Sequence, residues 1–203
     1  MKTFCTRLRL GSLVVVASSL ILFAQQMNPT CQKCSATYIP ESEIKAFLAR
    51  VPASLGVSDQ QVRAVNVGKS NVDIGVVYRG KLSGTPIVAE HDHVSEVYHI
   101  IDGAATLVTG WDIAGAKPRP ADNENVKMLN GPGSDGTSIR NGVSHQLKAG
   151  DVIVIPAGTG HWFTKIDDHI SYLMVRIDPD KVTPLKDGAA AQADLRRGFQ
   201  KKK

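Results

Sequence analysis

Gly150-Asp151-Val152-Ile153-Val154-Ile155-Pro156-Ala157-Gly158-Thr159-Gly160-His161 reads as a turn, a short apolar strand and a bend that delivers a histidine into a following strand. Gly150 and Asp151 make the turn, and Val152 to Ile155 form an apolar run expected to be covered on both sides. Pro156 ends ladder pairing, and Gly158 with Gly160 permits the bend. Far upstream, His91-Asp92-His93-Val94-Ser95-Glu96 lies at the edge of another strand-like run. Folding that joins the two segments sets imidazoles and a carboxylate around a single first-row metal ion.

Around these segments the apolar period is two. Val65 and Val67 alternate weakly, and Val72, Ile74, Val76 and Tyr78 keep one parity. Further short strands are expected at 86–91, 96–101, 104–111, 137–140, 144–148, 151–155, 161–165 and 171–177. Short strands without intervening helices favour an all-β sandwich or barrel over a βαβ sheet. One helix precedes them: Ile44, Phe47, Leu48 and Val51 recur at helical spacing, with Glu41, Glu43, Lys45 and Arg50 on the other side and Pro52 as terminator. Residues 114–136, rich in Gly, Pro, Asn and Asp, read as a long excursion that either covers a pocket mouth or is a surface insertion.

The two histidine segments resemble the motifs of the cupin superfamily. The second motif, G-x5-P-x-G-x2-H-x3-N, matches at Gly150, Pro156, Gly158 and His161, with Lys165 in place of the final Asn. The first, G-x5-H-x-H-x3,4-E-x6-G, matches at His91, His93, Glu96 and Gly103, with two residues between His93 and Glu96 and six between Gly84 and His91. The resemblance covers residues 60–177. It implies a cupin-type double-stranded β-helix, a jelly-roll barrel, that holds one divalent transition metal (Fe, Mn, Ni, Zn or Cu) at its mouth.

The short first motif leaves two ligand sets open. A two-residue hairpin loop at Val94-Ser95 places His93 opposite Glu96 and gives His91, His93, Glu96 and His161 as ligands; Val-Ser suits such a turn poorly. A four-residue loop, Asp92 to Ser95, instead places His91 opposite Glu96, leaves Ala89 in the position of the first motif's histidine, and yields His91, Glu96 and His161. That two-His-one-carboxylate set with open positions is associated with Fe(II) oxygen chemistry. Tyr98 shares the parity of Glu96 and is a candidate acid or pocket-lining donor. Lys165, in line with His161, either contacts a substrate anion or reaches solvent. His99, His145 and His169 are expected to be packed or solvated rather than ligating.

Length and composition, 203 residues with 42% hydrophobic and 21% charged types, suit one globular domain. Residues 1–24 read as a secretory signal, with Lys2, Arg7 and Arg9 ahead of an apolar Leu13–Ala24 stretch too short for a comfortable span. Leu22 stands where cleavage prefers a small residue, so an uncleaved anchor is the competing reading. Residues 25–59 form a lead-in with the helix and a C-x-x-C at Cys31 and Cys34, expected to oxidise in an exported, periplasmic or secreted protein. The net charge of +5 comes from the ends, because Lys2, Arg7, Arg9 and Arg196, Arg197, Lys201, Lys202 and Lys203 face no acids there. The remaining body is mildly acidic, which argues against a nucleic-acid partner. Residues 178–203 are expected to be a basic tail, disordered but for at most a short helix near 189–197.

No nucleophile elbow, glycine-rich phosphate loop or helical H-E-x-x-H is present. The expected function is that of an exported metal-binding cupin acting on a small organic molecule, as an oxygenase or as an isomerase or lyase. The alternative is a non-catalytic ligand-binding or scaffold protein. A small-molecule substrate or ligand is the expected partner, with no membrane span in the mature form and a homodimer left open.

Overall fold

Alternation of apolar and polar residues builds the fold described by a computed structural model over residues 29–31, 33–52, 55–82 and 87–197. The elements in chain order are α1 (Glu41–Ala49), β1 (Val57–Asn66), β2 (Asn71–Gly80), β3 (Val88–Ala89), β4 (Ser95–Gly110), β5 (Asp112–Ala114), β6 (Lys117–Pro118), a π-helical turn (Val126–Asn130), β7 (Ser134–Gly136), β8 (Ser138–Arg140), β9 (Val143–Lys148), β10 (Val152–Ile155), β11 (Gly160–Lys165), β12 (His169–Asp178) and α2 (Gly188–Arg197). Every ladder is antiparallel. Among the described residues no helix is long and apolar enough to cross a membrane.

The strands expected at 96–101 and 104–111 are one strand of 16 residues, β4, and it serves both layers of a curled sheet. Its first half pairs with β12 and β10, and its second half with β9 and β11. Gly103 marks the division at φ +79, where an added Cβ would meet the His169 carbonyl oxygen at 2.1 Å. Only glycine fits there, so the corner is written into the sequence. One layer runs β1-β2-β12-β4-β10 and the other β9-β4-β11-β3-β7-β6. The result is an all-β fold, a curled antiparallel sheet that forms a half-barrel. Its core lies between the layers, with Val77, Tyr98, Leu107, Phe163, Tyr172 and Met174 among the buried residues.

The outer face of the first layer is capped at one end by the two helices. Phe47 of α1 and Ala191 of α2 are fully buried against Val62 and Val76. Glu43, expected on the solvent side of α1, is buried instead because Arg63 reaches it with both terminal guanidinium nitrogens, at 2.7 and 3.0 Å. The expected tail is ordered as far as Arg197, and the short helix expected near 189–197 is α2. β12 extends to Asp178, Asp187 accepts the Ala190 N–H at 2.8 Å at the start of α2, and the helix docks through Ala191 and Leu195. Residues 198–203 lie outside the described residues, as does the whole 1–24 segment.

Two further expectations are revised. The run Val152–Ile155 is covered on one side only: Val152 and Val154 are 59% and 61% exposed, because β10 is the edge of its layer and nothing among the described residues overlies its outer face. The 114–136 excursion carries short strands that pair back onto the second layer, and it brings Arg119 beside His91.

Candidate metal centre

Register brings the candidate ligands together. Ile155, Glu96, Arg176 and Asp73 form one cross-strand row on the inner face of the first layer. From the second layer His161 pairs with Ala89 of β3, and His91 follows Ala89 at the same parity, just beyond the strand. Glu96 therefore faces two histidines across the gap. His91 Nε2 lies 3.5 Å from Glu96 Oε1, and His161 Nε2 lies 3.5 Å from Glu96 Oε2. One ligand atom from each of the three residues falls within 4.8 Å of the others, and all three side chains are buried.

The donor set fits a metal ion. Ligands about 2.1 Å from one tetrahedral ion stand roughly 3.4 Å apart, close to the separations seen here. His161 Nδ1 lies 3.1 Å from the Thr159 carbonyl oxygen, to which it donates, so the Nε2 lone pair points at the cluster. Glu96 is anchored on both oxygens, by Arg176 Nε at 3.0 Å and by the Tyr98 hydroxyl at 2.6 Å. Behind His91, Arg119 Nη1 approaches Nδ1 at 3.5 Å while its other nitrogens hold Asp135 and the Ser134 carbonyl.

These contacts set the protonation states. Burial drives His91 down to about 3, against the opposing pull of Glu96, with His161, Arg176 and Arg119 adding to the fall. Burial also lowers His161. For Glu96 burial by itself favours the neutral acid, but His91, Arg176, His161 and the Tyr98 hydroxyl outweigh it and hold the carboxyl well below its ordinary range. The result is two neutral imidazoles and one carboxylate, the states in which these side chains ligate metals. Tyr98 is pushed well above 10 by burial and then by Glu96, so its proton is committed to Glu96 Oε2.

Acid sensitivity of the metal-free protein follows, with the sign fixed by the unfolded chain. His91 and His161 protonate below about 6.5 when unfolded but stay neutral when folded, and Glu96 protonates below about 4.5 when unfolded but stays ionised when folded. In each case the unfolded chain gains the proton first. Stability present at pH 7 is therefore lost as pH falls below about 6.5, by about 1.4 kcal/mol per pH unit for each proton of difference. Denaturant midpoints between pH 8 and pH 4 check this; a midpoint that rises on acidification would contradict neutral histidines.

The other candidates lie elsewhere. His93 turns outward, 43% exposed, with Nδ1 2.7 Å from Asp180 Oδ2, so the four-ligand arrangement is not the one adopted. His99 is exposed on the outer face, His145 meets the Thr109 hydroxyl at 2.9 Å, and His169 lies between Asp102 and Asp168. Lys165 reaches solvent and pairs with Asp167 at 3.1 Å. Gly84 lies outside the described residues. Arg176 and Arg119 were not singled out from the sequence. Arg176 carried a signal, a charge at the parity of Tyr172 and Met174 on β12, whereas Arg119 sits in irregular chain and carried none.

No protein-family model matches the sequence, and no curated protein matches it. The chain is similar, at low identity, to several solved structures. A Bacillus halodurans protein is 15% identical with a TM-score of 0.39, over 78% of this chain and 96% of its own. The DMSP lyase DddQ from Ruegeria pomeroyi is 17% identical with a TM-score of 0.39, over 66% of this chain and 54% of that one. KdgF from Halomonas sp. is 14% identical with a TM-score of 0.37, over 64% of this chain and 87% of that one. Similarity this low transfers no residue role, and the reading of the site rests on its own geometry.

Proposed function

We propose that this protein holds one divalent transition metal at His91, Glu96 and His161 and uses it on a small organic molecule. The observation that carries the reading is the buried His-Glu-His cluster with its ligand atoms within 4.8 Å. A bound ion would supply either activation of O2 or polarisation of a carbonyl, enol or carboxylate. The chain's own part is to keep both imidazoles neutral, to fix Glu96 between Arg176 and Tyr98, and to exclude bulk water. Elemental analysis of untagged protein purified without oxygen should find about one equivalent of a first-row metal per chain. Less than about a tenth of an equivalent after reconstitution rejects the centre. Oxygen uptake with candidate substrates then divides oxygenase from isomerase or lyase chemistry.

A non-catalytic ligand-binding role is the second reading, and one observation favours it. Tyr98, the candidate acid, has its proton tied to Glu96, which withdraws it from acid duty toward a bound molecule.

Export belongs to the same proposal. The Cys31–Cys34 disulfide suits an oxidising compartment. Intact-mass analysis of native material should show a chain beginning near Gln25 and no free thiol. A reduced pair in a chain that retains Met1 rejects export.

A further inference from the structure

The cluster leaves one inward-facing charge unexplained. Arg79 has the parity of Asp73 and Val77 on β2, so its side chain enters the space between the layers. Its Nε donates to the Tyr172 hydroxyl at 3.1 Å, and its guanidinium carbon lies 4.9 Å from the centre of the Phe163 ring. Both contacts fix the plane of the group, and neither neutralises it. All Asp and Glu residues of the chain fall among the described residues, and none comes within 4.0 Å of an Arg79 nitrogen. The two terminal nitrogens also lack a hydrogen-bond partner among the described residues. The group is half-buried with no carboxylate beside it, which leaves its planar fork open to an anion from outside.

Arg79 lines a cavity of about 290 Å³ whose wall includes His161. Ala89, opposite His161 in the ladder, also lines it, and its methyl leaves the space open. Leu82, Phe163 and Ile166 supply an apolar wall, and Lys81 stands at the exposed rim. A planar fork beside an apolar wall matches a carboxylate on a small hydrocarbon body. A phosphate monoester needs more donors than this wall offers. The volume is at the low end of small-molecule sites, which span about 300–1,000 Å³.

We propose that this cavity binds a small organic carboxylate, its carboxylate held by Arg79 with help from Lys81 and its apolar part lying against Leu82, Phe163 and Ile166. That this acid is the substrate rests on the metal-centre reading above; that it binds does not. The anion site and the metal ligands are separate residues sharing one wall at His161.

The test uses the full chain, chelator-treated and metal-loaded, titrated calorimetrically with benzoate and with benzamide, its neutral counterpart of similar shape. Benzoate is expected to bind both forms about tenfold or more tightly than benzamide. Arg79→Gln should weaken benzoate about tenfold and abolish the preference, leaving benzamide within about threefold and metal content unchanged. Lys81→Gln should cost benzoate about twofold. Equal affinity for the two probes, no benzoate binding up to about 10 mM, or a preference that survives Arg79→Gln overturns the proposal. Benzoate binding confined to metal-loaded protein also overturns it, since the anion then sits on the ion. Benzoate binding to a protein that takes up no metal keeps this site and rejects the metal centre. Should Arg79→Gln fail to fold, the comparison of probes on the unmutated chain and on Lys81→Gln still decides.

Discussion

Arg176→Leu should destabilise the protein by about 3–5 kcal/mol, the cost of leaving buried charges without their partner. Arg176 is 1% exposed, and it spans the interior from Glu96 Oε1, 3.0 Å from Nε, to Asp59 Oδ2, 2.5 Å from Nη2. Leucine fills part of the volume but strands both carboxylates. Glu96 is itself only 2% exposed and cannot recover its hydration without opening the layer. Urea denaturation of the metal-free variant beside the unmutated protein measures the loss. Because protonating Glu96 removes one stranded charge, the gap between the two proteins should narrow as pH falls. A loss below about 1 kcal/mol at pH 7 would mean that water already solvates the row.

The second large effect is on metal content. His91→Ala combined with His161→Ala should abolish stoichiometric binding, since both neutral nitrogens facing Glu96 disappear. Glu96→Gln should also lose the ion by removing the only carboxylate in the cluster. His93→Gln should leave metal affinity within about tenfold, because its ring is turned to Asp180. His99→Ala, on the outer face, should change nothing. Elemental analysis with a chromophoric chelator competition reads all four. Full metal retention in the double variant would remove the site assignment, and a large loss from His93→Gln would require the loop 92–94 to reorganise on binding.

Much of this geometry was legible in the chain because it is local or periodic. The turn, proline stop and glycine bend before His161 act over a dozen residues, and the parity of Glu96, Tyr98 and Ile100 needs only the two-residue repeat of a strand. Preference for a longer loop between His91 and Glu96 came from the unsuitability of Val-Ser for a tight turn, and His93 does lie outside the cluster. What was not legible depends on partners distant in sequence. Arg176 meets Glu96 only because β12 lies beside β4, and Glu43 is buried only because Arg63 sits opposite it. α2 was legible as a short helix near 189–197 but its docking was not, because it packs through an alanine: Ala191 joins Phe47 in one buried cluster without the broad apolar stripe that marks a packed helix in sequence. The exposed side of Val152 and Val154 was unreadable for a related reason, since a continuous apolar run does not reveal which of its faces a neighbouring layer covers.

The position of β12 also governs when the molecule can fold. This strand, near the end of the chain, lies between β2 and β4, so the middle of the first layer is missing until residues 169–178 have been synthesised. A nascent chain ending earlier has the β1–β2 hairpin with α1 on its face but no strand along its β2 edge, and a Glu96 with no Arg176. Folding is therefore postponed to the completed polypeptide, and the long sequence separation of its contacts makes the reaction slow. Under the proposed export, such a delay would keep the chain threadable through a membrane channel until β12 is made.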